Sequence, residues 1–155
     1  MMEYDIRREE RVWQRIQSEK REQNAAPRGE NLPALIMEQL QLSSAYLQIS
    51  RLLQGKDGSE FVRLAREARA GAVCLKGILV LTGKPAPPIS TTPAQFSTMD
   101  AMLRRCYGME LRLMKEYESR HGDMEYGPVF ARLAQRGGEH CGTLLELIGK
   151  TGRTK

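Results

Sequence analysis

Strand-forming residues are scarce in this 155-residue chain: aromatics make up 6% of it, while Leu, Met, Ala, Glu, Arg and Gln are abundant. These are helix formers, so the composition argues against sheets and for an all-α fold. No apolar run approaches the ~18 residues a membrane-spanning helix needs. The N-terminal "MMEYDIRREERVWQRIQSEKREQ" is too charged for a secretory signal, and a cytoplasmic protein with no membrane partner is expected. The three cysteines, Cys74, Cys106 and Cys141, lack CxxC spacing. That excludes a zinc ribbon and a disulfide framework and fits reduced, mostly buried thiols. The net charge is +5, yet the bases are interleaved with acids, as in "RREERVWQR" and "SEKREQ". Such mixing describes a solvated helix face and speaks against a nucleic-acid partner.

Turn-forming residues divide the rest. Residues 1–27 are a charged segment whose thin apolar stripe is Ile6, Val12, Trp13 and Ile16, ending in the breaker "NAAPRGENLP". A bundle domain over 28–150 and a basic tail over 151–155 follow. Asn31 as cap and Pro33 in the first turn open helix A, predicted over 32–54. Helix B is predicted over 58–82, closed by Gly83 and Pro85. The stretch "KPAPPISTTPAQF" holds four prolines and is a long connection. Helix C is predicted over 98–120, with His121 capping its carbonyls, and helix D from 124 or 128 to 148, stopping at Gly149. Two short-looped helix pairs joined by one long linker give an up-down four-helix bundle of ferritin-like topology, with a crossover between B and C. The N-terminal segment adds an amphipathic helix.

Read at spacings of three and four, each helix shows one apolar stripe. Helix A gives Leu32, Leu35, Gln39, Leu42, Tyr46, Ile49 and Leu53; helix B gives Phe61, Leu64, Ala68, Gly71, Leu75 and Ile78. Helix C gives Met99, Leu103, Cys106, Glu110, Leu113 and Tyr117; helix D gives Phe130, Leu133, Gly137, His140, Leu144 and Leu147. Each stripe is interrupted near its middle, so the interruptions should meet at one level. A buried carboxylate and imidazole cost several kcal/mol there unless paired or metal-bound. Diiron bundles place a Glu on each of two helices and a Glu-x-x-His on each of the other two. Here those slots hold Gln39, Ala68 with Gly71, Glu110, and Gly137 with His140. Glu38, Glu67 and Glu139 lie one position off the stripes, and sliding the register to recruit them would turn the flanking leucines outward.

The segments "LIMEQLQLSSAYLQIS", "LAREARAGAVCLKGILVLTGKP", "LRRCYGMELRLMKEYESRHGDMEYGPVFARLA" and "EHCGTLLELIG" resemble the ferritin-like, rubrerythrin-type bundle proteins, of the kind common in anaerobic Firmicutes. The resemblance covers about residues 32–149. It implies a diiron-carboxylate ancestor acting on peroxide, oxygen or iron, and commonly a homodimer paired through helices A and B. Carried over residue by residue, only Glu110 and His140 match metal ligands. Gln39, Ala68, Gly71 and Gly137 are vacated ligand slots. Tyr46 and Tyr117 resemble the tyrosines that border such centres, and Cys106 lies one turn from Glu110.

The leading reading is a bundle whose diiron site has decayed, non-catalytic, with a structural or interaction role and no cofactor beyond iron or zinc at low occupancy. The alternatives are a rubrerythrin-like oxidoreductase with an atypical site around Glu110 and His140, and a small-ligand protein using the emptied centre. The expected partners are a second copy and, through residues 1–27, another protein.

Overall fold

A computed structural model describes residues 32–84 and 98–153 of the chain. The N-terminal amphipathic segment, the Asn31 cap and most of the proline-rich connection lie outside the described residues. The described residues form four helices: α1 Leu32–Leu52, α2 Gly55–Leu81, α3 Met99–Arg120 and α4 Gly127–Arg153. Among the described residues there is no strand.

The turns explain the departures from the predicted boundaries. Only Leu53 and Gln54 separate α1 from α2. Gly55 takes φ +65°, which favours glycine, and a Cβ on Gly58 would lie 3.0 Å from the Leu53 carbonyl oxygen. Those glycines tighten the reversal, so α2 begins three residues before the predicted start. Its end follows expectation: Gly83 has φ +79°, and the Lys84 N–H donates back to the Leu79 carbonyl. Thr98 caps α3, its hydroxyl accepting from the Ala101 N–H at 3.0 Å. At the other end His121 Nδ1 meets the Glu118 carbonyl. Gly127 packs on the His121 carbonyl so closely that a Cβ would stand 2.4 Å from it. α4 does not stop at Gly149 but runs to Arg153, into the stretch expected to be a tail. Lys150 reaches Asp57 of α2 at 3.7 Å, which ties that last turn to the bundle.

α1 packs on α2, α3 on α4, and α1 faces α3. Gln39 meets Tyr117, and seven residues later along α1 Tyr46 meets Glu110, seven residues earlier along α3. These two helices are therefore antiparallel, and because α1 is also antiparallel to α2, helices α2 and α3 run parallel. The end of α2 and the start of α3 therefore lie at opposite ends of the bundle, separated by about the 33 Å that the 22 residues of α3 span at ~1.5 Å per residue. Every residue of the four expected stripes is buried, with Leu53 and Met99 half-buried at the ends. The interior above and below the polar level is Leu, Ile and Phe, among them Leu42, Leu64, Leu103 and Leu144.

Candidate functional site

The stripe interruptions are all buried but fall into two neighbouring clusters instead of the single level expected, Gln39 with Gly71 and Tyr117, and Glu110 with Gly137, His140 and Tyr46. Gln39 and Tyr46 come from α1, Glu110 and Tyr117 from α3, and His140 from α4, all at most 6% exposed. Glu110 is the hub. Its Oε1 accepts the Tyr46 hydroxyl at 2.7 Å and lies 2.9 Å from His140 Nδ1. A carboxylate can only accept, so Nδ1 carries the proton and the imidazole is held in one orientation. The Tyr46 ring stands edge-on to the imidazole, centroids 5.8 Å apart. Separately, Gln39 Nε2 donates to the Tyr117 hydroxyl at 2.7 Å. Buried polar groups need such partners, and this layer supplies most of them from its own members.

The other imidazole nitrogen is different. His140 Nε2 is buried without a hydrogen-bond partner and lies 3.5 Å from Glu67 Oε1. Glu67 is half-buried and held by Arg63, whose Nη1 donates to both of its oxygens at 2.6 and 3.0 Å. The stripe reading set Glu67 aside. It stands beside Ala68, and a long side chain at the edge of a stripe can lean inward over a small neighbour. That pairing of a flanking Glu with a stripe Ala was the available signal. Glu38 stays at the surface seam near Arg112, 3.6 Å away.

The vacated slots are filled rather than hollow. A Cβ on Gly71 would lie 3.1 Å from Gln39 Nε2, and one on Gly137 would lie 2.8 Å from Met114 Cγ and 3.2 Å from Glu110 Oε2. Gln39, Met114 and Glu110 thus occupy the space that larger side chains would need. Met114 was missed by the stripe reading although it sits one turn after Glu110. A cleft of about 220 Å3 lined by Lys56, Glu60, Phe61 and Glu146 lies at the edge of the bundle, between the start of α2 and the end of α4.

Burial governs the protonation of the surrounding groups. It pushes the Tyr46 phenol well above its usual range, helped by the Glu110 charge, and raises Tyr117 against the opposing Gln39 hydrogen bond. The Cys106 thiol is pushed up to about 12 and Cys141 to about 11, both by burial first and Glu110 second. Thiols held protonated are poor metal ligands and nucleophiles. Cys74, unlike the buried Cys106 and Cys141, is exposed on the outer side of α2.

A diiron centre does not fit these residues. Glu110 engages Nδ1 and Glu67 faces Nε2, so the two carboxylates stand on opposite sides of the imidazole and cannot converge with it on one ion. Among the described residues no three His, Cys, Asp or Glu side chains are grouped to hold a metal.

These observations define an all-α, ferritin-like four-helix bundle with a buried polar layer. The solved structure of Dps from Thermosynechococcus elongatus is similar, with a TM-score of 0.52 over 77% of this chain and 94% of that one, at 14% identity. At that identity the likeness is one of fold. No family model matches the chain, and no curated protein matches it.

Proposed function

We propose that this protein is a non-catalytic bundle in which a former diiron site has become a hydrogen-bonded polar layer, and that its role is structural or interactive. The observation that carries this reading is that Glu110 holds Nδ1 of His140 while Glu67 faces Nε2 from the other side at 3.5 Å, so the two carboxylates do not converge on one ion. The filling of the Gly71 and Gly137 slots supports it further and weighs against a ligand in the bundle centre. Protein expressed in the cytoplasm with added iron, manganese and zinc is expected to carry well under one metal per chain. A content of about two irons per chain, the complement of a diiron bundle, would overturn the proposal.

One observation favours the oxidoreductase alternative: His140 Nε2 is a buried nitrogen with no hydrogen bond to occupy it. A single ion held there with Glu67 would have two protein ligands, fewer than such sites ordinarily use. Metal-dependent consumption of peroxide that disappears in His140→Ala would establish that reading.

For interaction, the outer side of α2 offers Ala70, Val73, Cys74, Gly77, Val80 and Leu81, all exposed at helical spacing. A second copy pairing through this side of the α1–α2 hairpin is the partner we assign to it. The segment 1–27 is assigned to contact with another protein.

A further inference from the structure

Close packing joins α1 to α2, α3 to α4 and α1 to α3. The edge where the start of α2 passes the end of α4 is left open as the cleft of about 220 Å3. Phe61 and Leu147 line it while being only 1% and 6% exposed, so its floor is apolar and belongs to the core. The walls are charged, and part of that charge is matched within the protein. Asp57 stands 3.7 Å from Lys150, and Glu60 is bound by Arg63. Two opposite charges remain. Lys56 on the α2 wall and Glu146 on the α4 wall both line the cleft, yet among the described residues neither forms an ion pair, with the other or with a third group.

We propose that this cleft binds a free α-amino acid with an apolar side chain, its carboxylate on Lys56, its ammonium on Glu146 and its side chain over Phe61 and Leu147. One unmatched cation and one unmatched anion on facing walls suit a zwitterion. A simple anion would meet three carboxylates, Asp57, Glu60 and Glu146, and a simple cation would leave Lys56 unmatched. The α2 wall is also the start of its helix, where the Gln54 cap makes no side-chain hydrogen bond. The partial positive charge of that end favours the carboxylate on the same side as Lys56. Size narrows the class: an apolar cavity of about 150 Å3 takes benzene, so 220 Å3 admits about nine non-hydrogen atoms, the size of leucine, isoleucine or methionine. The site is separate from the Glu110–His140 pair and does not depend on what the bundle centre holds.

The test is a two-dimensional NMR titration of the full chain with L-leucine, beside two analogues that each lack one charge, N-acetyl-L-leucine and L-leucinamide. The expected result is a Kd on the order of 1 mM for L-leucine, ordinary for so small a ligand, with shifts centred on Phe61 and Leu147 and binding about tenfold weaker for either analogue. Lys56→Gln should weaken L-leucine about tenfold without weakening L-leucinamide, and Glu146→Gln should do the same without weakening N-acetyl-L-leucine. Both side chains are exposed, so the variants are expected to fold, with melting temperature as the check. Absence of a saturable shift with L-leucine up to about 20 mM overturns the proposal. So does an analogue that binds as well as L-leucine, an affinity unchanged in either variant, or a set of shifts centred elsewhere on the bundle.

Discussion

Glu110 Oε1 accepts from two buried donors, Tyr46 and His140, and that fixes how the centre responds to substitution. Glu110→Ala strands both donors and is expected to cost about 3–5 kcal/mol in urea unfolding. Replacing Glu110 and His140 together by Leu removes the hydrogen-bonded pair but leaves the Tyr46 hydroxyl unpaired, a penalty of about 1–3 kcal/mol. Adding Tyr46→Phe should recover that loss; a triple variant no more stable than the double would show that the hydroxyl is satisfied elsewhere. The pH response follows from the raised groups. Tyr46, Tyr117, Cys106 and Cys141 all bind their protons more tightly when folded. Their contribution is complete below the unfolded values, near 8.5 for thiols and 10 for phenols. It drains as pH rises through the folded ones, by at most about 1.4 kcal/mol per unit for each group. Stability should therefore fall from about pH 9 upward, and Tyr46→Phe with Cys106→Ala should flatten that fall. The stripe periodicity made Glu110, His140, Gln39 and Tyr46 legible as inward-facing positions, though not their division into two clusters. It could not give Glu67 or Met114, because both reach the layer by side-chain length from positions outside the stripe.

At the level of the helices, the glycines sort into two kinds that sequence alone does not distinguish. Gly137 lets α3 and α4 approach: a Cβ there would press on Met114 Cγ, part-way along the side chain where little room exists to yield. Gly142, five residues on in the same helix, is exposed with no atom within 4 Å of an added Cβ. Gly142→Ala should raise stability by about 0.5–1 kcal/mol through helix propensity, whereas Gly137→Ala should lower it. Thermal unfolding of the pair checks this, and equal gains at both positions would mean that Met114 moves freely. Helix ends were legible where a local signal decides them, as at Gly83 and Thr98. They were missed where tertiary contact decides, as at Gly149, which the helix passes because Leu147 is buried and Lys150 is anchored to Asp57.

For the whole molecule, the outer side of α2 is the unusual surface. Val73, Val80 and Leu81 are 64%, 57% and 74% exposed, and from Ala68 to Lys84 the chain contains Arg69, Lys76 and Lys84 but no acid. Two copies joined there bring like charges together, so association should strengthen as salt screens them. Sedimentation across concentration and ionic strength is expected to show a dimer that grows with salt and is lost in Val73→Asp, with the monomer's stability unchanged. A mass that stays monomeric throughout would remove the second copy as the occupant of this face. The up-down order with one crossover was legible because turn chemistry and linker length are local properties of the chain. Which faces remain uncovered was not, since an exposed apolar stripe on α2 reads the same in sequence as one turned inward.

The contacts of the polar layer also divide along the chain. Gln39 to Tyr117 and Tyr46 to Glu110 both join a residue before the proline-rich connection to one after it. Beside the Glu110–His140 bond inside the second hairpin, each hairpin thus carries half of two donor–acceptor pairs that only the other half completes. A chain cut within residues 85–97 would remain a split pair whose pieces find one alignment, because any slip of a turn buries a donor opposite leucine.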